Sequence, residues 1–108
     1  MTTESISSIW ISPGITSGET PETHYNVGNT DVIVYFSDNS SYVATFFTYK
    51  NIDRIVKNYQ QTGEGLSGKY FWASDMLLVD KIDRASIEAV VYDLLEEGSF
   101  LNVFRRVV

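Results

Sequence analysis

A glycine-rich segment in the middle of the chain, Gly63-Glu-Gly-Leu-Ser-Gly-Lys-Tyr70, comes close to the phosphate-binding pattern G-x-x-x-x-G-K-[ST]. In that pattern the backbone N–H groups at a helix N-terminus cradle phosphates, which requires the order strand, loop, helix. The predicted order here is helix, loop, strand. Tyr70 also replaces the hydroxyl residue that holds magnesium, and Glu64 adds a negative charge to the loop. We therefore interpret the segment as a glycine-rich connector, not a nucleotide site.

Asp75 is a charged residue inside an apolar run, Tyr70 to Val79, that is predicted to form a strand. Burying a carboxylate is costly unless it is paired or hydrogen-bonded, and two interpretations follow. One is a ligand pocket or an acid–base group, with Lys69 or Tyr70 nearby. The other is a bulge or bend in which Asp75 accepts backbone or hydroxyl hydrogen bonds. We favour the bend because a single carboxylate without a second base or a nucleophile is not a catalytic arrangement.

The chain has one histidine, His24, and no cysteine. Without cysteine there is no thiolate zinc site, no disulfide and no cysteine nucleophile. One imidazole is too few for a multi-histidine metal centre, and no Ser/Asp pair is spaced to make His24 part of a triad. We therefore predict no catalytic residue, no metal ion and no cofactor, and a protein that is not an enzyme.

Charge and aromatic residues are the remaining signals. The formal net charge is −6, and residues 1–49 contain no Lys or Arg. Such a charge repels nucleic-acid backbones and attracts basic partners, although it also simply keeps a small protein soluble. The seven tyrosines and two tryptophans are typical of interfaces or of a thin sheet covered on its second side. The predicted partner-binding residues are Trp10, Glu19, Glu22, Asp31, Tyr35, Asp38, Tyr42, Tyr70 and Trp72.

The pattern of apolar residues predicts the elements that position these side chains. Asn51 is the predicted N-cap of the first helix and Asp83 that of the second, which ends at Gly98. Residues 13–30 form a polar stretch long enough to be a mobile loop, with a weak strand signal over 23–27. The predicted strands cover 5–12, 31–37, 42–49 and 70–79; the predicted helices cover 52–61 and the segment from Asp83 to Gly98; a short final turn or helix covers 100–104, with Arg105 and Arg106 at its C-terminal end.

Together these elements predict a single domain over residues 1–108 of the α+β class. It has a small, mostly antiparallel sheet of about three or four strands with two amphipathic helices packed on one face. The helix between the second hairpin strand and the strand at 70–79 allows a crossover that makes those two strands parallel. Both hairpin strands are apolar on both faces, so we expect a helix on one side and another layer or a partner on the other.

No membrane segment is expected. No apolar run approaches the ~20 residues of a membrane-spanning helix, and the N-terminus lacks the basic-then-apolar pattern of a signal peptide. The expected location is therefore the cytoplasm.

Two stretches, YVATFFTYKNI at 42–52 and TGEGLSGKYFWASDM at 62–76, resemble a family of small uncharacterised bacterial proteins. The resemblance covers most of residues 31–104. It implies a bacterial origin and assigns no chemistry. In size, acidity and lack of an active site the chain is also similar to immunity proteins, which neutralise bacterial toxins.

These observations favour a non-enzymatic protein-binding module, an inhibitor or immunity-type protein that neutralises a basic protein partner such as a bacterial toxin. The alternative is a small-molecule-binding domain or minor enzyme with a pocket around Asp75 and Lys69. A third hypothesis is a homodimer formed through an uncovered sheet edge.

Overall fold

The computed structural model describes residues 5–12 and 29–108. The weak strand signal at 23–27 lies outside the described residues, as do His24, Glu19 and Glu22. In chain order the elements are β1 (Ile6–Ile11), β2 (Asn29–Phe36), β3 (Ser41–Thr48), α1 (Tyr49–Thr62), α2 (Glu64–Gly68), β4 (Met76–Val79), α3 (Arg84–Glu97), α4 (Phe100–Val103) and β5 (Arg105–Arg106).

The strands form one sheet in the order β1-β2-β3-β4, with β5 also pairing with β3. The predicted hairpin is present: β2 and β3 are antiparallel, with Tyr35 opposite Ser41. Thr45–Thr48 pair in parallel with Met76–Val79, so the predicted parallel crossover is confirmed. The other pairs are antiparallel, and the α+β class with a small, mostly antiparallel sheet is confirmed.

The core lies on one face of this sheet. Successive side chains of a strand point to opposite faces, and alternate residues of β2 are accordingly buried and exposed. The buried residues of β2 and β3 pack with residues from α3 and α4. The rings of Phe36, Tyr42 and Phe100 meet edge to face, with centroids 5.5 to 5.7 Å apart. Edge-to-face contacts at this distance are the favoured geometry for aromatic pairs.

Two neighbouring phenylalanines of β3 make aromatic contacts on opposite faces of the sheet. Phe46 meets Phe104 with ring centroids 6.1 Å apart, whereas its neighbour Phe47 points the opposite way and meets Phe71 at 5.5 Å. Tyr59 of α1 lies 6.3 Å from the same Phe71 ring. The contact between α1 and residue 71 is therefore on the Phe47 side, and packing of both helices on one face is not confirmed.

The ends of the two long helices are set by local hydrogen bonds. Gly63 and Gly98 end α1 and α3 in the left-handed conformation, as predicted. The prediction that Asn51 caps α1 is wrong, because Thr48 at the end of β3 supplies the cap three residues earlier. The Thr48 side chain accepts a hydrogen bond from the Asn51 backbone N–H, 3.0 Å away, and Asn51 is buried in the first turn.

Three predicted boundaries differ from the structure. The strand predicted at 70–79 is only Met76–Val79, since the chain turns at Asp75. β2 begins at Asn29, inside the stretch of 13–30 that was predicted to be a mobile loop; residues 13–28 of that stretch lie outside the described residues. Arg105 and Arg106 do not end a helix. Phe104 adopts an extended backbone after α4, which brings both arginines alongside Tyr42 and Val43 as β5.

No helix in the described part of the chain has the length and apolar character required to cross a membrane.

Asp83 caps α3, and its replacement gives a test of how the helix is held. Its Oδ1 accepts a hydrogen bond from the Ser86 backbone N–H, 2.7 Å away, and this bond lowers the pKa of Asp83 below its usual 3.8. A folded-state pKa below the unfolded value contributes stability above the unfolded pKa, and that stability is lost as the pH falls through the folded pKa. Asp83→Ala should therefore lower the free energy of unfolding by about 0.5–2 kcal/mol at neutral pH.

Urea unfolding of the two proteins at neutral pH and at about pH 3 measures this difference, which should shrink at the lower pH. Asp93→Ala is the matched control, because Asp93 lies near the C-terminal end of the same helix and caps nothing. Its removal should not destabilise the protein, since a carboxylate there opposes the helix dipole. If Asp83→Ala lowered the free energy of unfolding equally at both pH values, the result would contradict a role for the charged form of the Asp83 cap.

Candidate functional site

The turn that follows α1 has an unusual backbone. Inside α2, Gly65, Leu66 and Ser67 have left-handed φ values of 56°, 53° and 60°. Left-handed geometry costs about 1–2 kcal/mol for each residue that has a Cβ, so Leu66 and Ser67 must be held by their surroundings. Ser67 N donates to Gly63 O at 3.2 Å, and Lys69 N donates to Gly65 O at 2.9 Å. Residues 63–68 therefore form a strained, internally hydrogen-bonded turn.

Two glycines allow this turn to lie directly against α1. A Cβ at Gly65 would stand 2.6 Å from the Tyr70 carbonyl oxygen and 2.8 Å from the Tyr59 ring. A Cβ at Gly68 would stand 2.7 Å from the Val56 carbonyl oxygen. Side chains do not fit at either position. The glycines that suggested a phosphate loop thus serve close packing on a helix, which agrees with the interpretation of this segment as a connector.

A cavity of about 280 Å³ lies where this turn, α1 and the segment leading to β4 meet. We call it the aromatic cavity. Its lining is aromatic except for one acidic residue and one glycine: Tyr59, Glu64, Gly65, Tyr70, Phe71 and Trp72.

The aromatic cavity has an anchored side and an exposed rim. Phe71 is half-buried, and its ring contacts both Phe47 of the sheet and Tyr59 of α1. The residues on either side of Phe71 face solvent: Trp72 is 71% exposed and Tyr70 54%. Because Phe71 is fixed by two elements, the rim aromatics stand on an anchored backbone.

Glu64 supplies the charge of the aromatic cavity. Its Oε1 accepts a hydrogen bond from the Thr62 hydroxyl at 3.0 Å, and the Glu64 backbone N–H donates to the Thr62 hydroxyl oxygen at 3.3 Å. Within residues 5–12 and 29–108, the carboxylates in ion pairs are others, namely Asp53, Asp75, Asp83 and Glu88. The negative charge of Glu64 is therefore not neutralised by a basic residue of the described chain.

Aromatic rings around one carboxylate favour an organic cation. A cation within about 6 Å of an aromatic ring centre is attracted by the ring quadrupole, and a carboxylate adds charge-assisted hydrogen bonds. Metal binding has no comparable support, because the described residues contain no group of three His, Cys, Asp or Glu side chains placed to hold an ion.

Three of the predicted partner-binding residues lie on the outer face of the sheet and not at the aromatic cavity. Trp10 pairs with Ile33, which shares its face with Asp31 and Tyr35. Trp10 and Tyr35 are both exposed. Asp31 accepts a hydrogen bond at Oδ1 from the Thr45 hydroxyl, 2.8 Å away. Of the predicted residues that lie within 5–12 and 29–108, only Tyr70 and Trp72 line the aromatic cavity.

Two further members of the predicted set have structural roles. The placement of Tyr42 on a binding surface is wrong, because its ring is buried in the core between Phe36 and Phe100. Asp38 closes the hairpin turn and accepts a hydrogen bond from the Ser40 backbone N–H at 2.9 Å. The hydrogen bonds from the Ser40 side chain and backbone lower the pKa of Asp38 below its usual range, so this carboxylate is already engaged.

Asp75 occupies the bend just before β4, with a left-handed φ of 52°. Its Oδ2 lies 2.8 Å from the Arg105 Nε, and its carbonyl oxygen accepts from Thr45 N at 2.8 Å. The bend interpretation agrees with this geometry, although the side-chain donor is a guanidinium group and not a hydroxyl or backbone group. Neither Asp75 nor Lys69 lines the aromatic cavity.

The ion pair at Asp75 gives a second test. Asn tolerates left-handed φ values, so Asp75→Asn removes the charge and keeps the bend. Because Arg105 is well exposed, we expect the free energy of unfolding to fall by less than about 1 kcal/mol. A double-mutant cycle with Arg105→Gln, followed by urea unfolding, isolates the pair. A coupling energy well above about 1 kcal/mol would show that the Asp75–Arg105 pair contributes more to stability than an exposed ion pair does.

Sequence reasoning missed four residues of the aromatic cavity: Tyr59, Glu64, Gly65 and Phe71. Tyr59 lies on the predicted helix over 52–61 and is not among the predicted partner-binding residues. In the sequence, Glu64 is notable only as a negative charge that disfavours phosphate binding by the glycine-rich segment. The signal that links them is the spacing of Gly63, Gly65 and Gly68 directly after a helix, which indicates a turn folded back on that helix.

Comparison with known proteins gives no match: no family model, no curated protein and no solved structure is significantly similar to the chain. The resemblance to a family of small bacterial proteins therefore stays a prediction.

Proposed function

We propose that the chain is a non-enzymatic binding module that docks a basic protein partner and blocks it, as an inhibitor or immunity-type protein does. A toxin neutralised in the bacterial cytoplasm is the partner class that the resemblance suggests. The observation that carries the proposal is the aromatic cavity, whose lining includes two exposed aromatic residues and an acidic residue that has no cation of its own among the described residues.

The exposed aromatics support protein binding. Tryptophan and tyrosine dominate binding hot spots, because each buries a large rigid surface at low entropic cost. Trp72 and Tyr70 belong to a segment anchored through Phe71, so less ordering is required when a partner binds. Preorganisation of this kind raises affinity mainly by reducing the cost of association.

The charge distribution supports a basic partner. The full chain carries a net charge of −6, which speeds encounter with a positive protein. The C-terminal end of α3 adds Asp93, Glu96 and Glu97, with no basic residue in the last turn. Carboxylates at this end oppose the helix dipole and reduce stability, whereas a cationic partner would relieve that repulsion.

The alternative, a small-molecule site or minor enzyme at Asp75, has less support. The Asp75 carboxylate is paired with Arg105, and the aromatic cavity is lined by other residues. No second base or nucleophile accompanies Asp75 in its contacts.

The proposal is tested by selecting random twelve-residue peptides, displayed on phage, against the immobilised protein. We expect the recovered peptides to be enriched in Arg and Lys, and their affinity to fall with added salt because exposed charges are screened. Recovery of peptides without a bias toward basic residues, or binding that is insensitive to salt, would overturn the proposal.

A further inference from the structure

We infer that the aromatic cavity receives an arginine side chain of the partner, with its guanidinium group against the aromatic rings and paired with Glu64. This inference rests on the proposed function and names the residue by which the basic partner is held.

The size of the aromatic cavity fits a single side chain. Pockets for drug-sized ligands enclose roughly 300–1,000 Å³, and this cavity, at about 280 Å³, lies at the lower limit of that range. The site is open and too small for a whole cofactor or nucleotide, whereas one long side chain from a docked protein fits into it.

The lining favours arginine over lysine. Four of the six lining residues are aromatic, and a planar guanidinium group stacks on such rings while its N–H groups bind a carboxylate in parallel. The ammonium group of lysine is a compact, strongly hydrated charge that loses more on entering an aromatic site. A neutral guest would make no charge-assisted ion pair with the Glu64 carboxylate.

The exposed Glu64 side chain has a hydrogen-bonded position before any partner arrives. Thr62 holds Oε1 by a hydrogen bond, and the backbone on the C-terminal side of Glu64 is the left-handed turn packed on α1. Strained non-glycine residues such as Leu66 and Ser67 persist only where the surroundings enforce them, and they cluster at ligand clamps. The turn thus has the rigidity that a preformed arginine site requires.

The chain provides its own reporter for the test. It contains only two tryptophans, and Trp10 lies on the sheet, outside the residues that line the aromatic cavity. Trp10→Phe therefore leaves Trp72 as the sole source of tryptophan fluorescence. The probes are N-acetyl-arginine amide, N-acetyl-lysine amide and N-acetyl-citrulline amide, the last being a neutral molecule of nearly the same shape as the first.

We expect the arginine probe to change Trp72 fluorescence saturably, and the citrulline and lysine probes to bind at least roughly tenfold more weakly. Glu64→Gln in the Trp10→Phe background should weaken the arginine probe by roughly tenfold. Asp80→Asn is the matched control, because it removes the same charge at an exposed residue that does not line the aromatic cavity, and it should change binding little. Thermal melting of both variants establishes that they are folded.

Equal responses to arginine and citrulline, no response to arginine, or no effect of Glu64→Gln would overturn the inference. The selected peptides distinguish failure of the arginine site from failure of the proposed function. For this comparison every arginine of a selected peptide is replaced by lysine. If the lysine peptide binds with unchanged affinity and still changes Trp72 fluorescence, the inference of an arginine site is overturned. The proposal of a basic partner then still stands. If the selection yields no basic peptide, the proposed function itself has failed.

Discussion

Gly65→Ala is expected to lower the free energy of unfolding by about 2–4 kcal/mol, and to abolish the response of Trp72 to the arginine probe. Two costs combine. An alanine at the left-handed φ of 56° carries backbone strain, and its Cβ would stand 2.6 Å from the Tyr70 carbonyl oxygen. Relief of that contact requires the turn to move away from α1 and Tyr70, which reshapes the aromatic cavity. Urea unfolding and the fluorescence titration measure the two effects.

Gly63→Ala is the matched control for that experiment. Gly63 also has a positive φ, 89°, but nothing lies within 4 Å of the position that its Cβ would take. Gly63→Ala should therefore lower the free energy of unfolding only by the backbone strain, about 1–2 kcal/mol. The response of Trp72 to the arginine probe should be unchanged. If both variants lost the same stability and both kept the response, close packing at Gly65 would not be what shapes the aromatic cavity.

The elements predicted best are those whose boundaries depend on local chemistry. Gly63 and Gly98 end helices because they adopt left-handed φ values without a Cβ penalty. Asp83 begins α3 because its side chain reaches the third residue of the helix. The β2–β3 hairpin follows from two apolar runs around a short polar turn. Each of these signals lies within a few residues of its effect.

The errors arise where distant segments compete for the same partner. Residues 70–72 are as apolar and aromatic as a strand, yet only Met76–Val79 pair with β3. The other half of that edge of β3 is taken by Arg105–Arg106, which pair with Tyr42 and Val43. No local pattern reveals that a chain segment some sixty residues away along the sequence occupies part of this edge. Tyr70 and Trp72, which lie before β4 and outside it, form the rim of the aromatic cavity.

Two of the six residues of the aromatic cavity, Tyr70 and Trp72, could be predicted from the sequence. Tyr70 and Trp72 were recognised because an aromatic residue is an interface signal wherever it stands. Glu64 and Tyr59 gain their role only when the glycine turn folds back on α1, which depends on contacts of Gly65 and Gly68 with that helix. Conversely, Tyr42 has the same residue type as Tyr70 but lies on the core face of β3. Residue type alone therefore does not distinguish an exposed, partner-binding tyrosine from a tyrosine of the hydrophobic core.

Trp72→Ala is expected to weaken binding of a selected basic peptide by at least roughly 30-fold, because truncating a tryptophan hot spot costs about 2 kcal/mol or more. The same variant should melt at nearly the wild-type temperature, since the side chain is 71% exposed and contributes little to the core. Titration calorimetry and thermal melting measure the two quantities on the same samples. A large loss of affinity without a loss of stability is the signature that separates a binding residue from a structural one.

Tyr92→Ala is the control, because Tyr92 is an aromatic residue on α3 that is 56% exposed and lies outside the aromatic cavity. It should change the affinity by less than about threefold, as most interface or surface positions do. If both variants reduced affinity equally, the peptide would be held by general apolar contact over the surface. If neither did, the exposed indole of Trp72 would have no part in binding, and the aromatic cavity would not be the docking site.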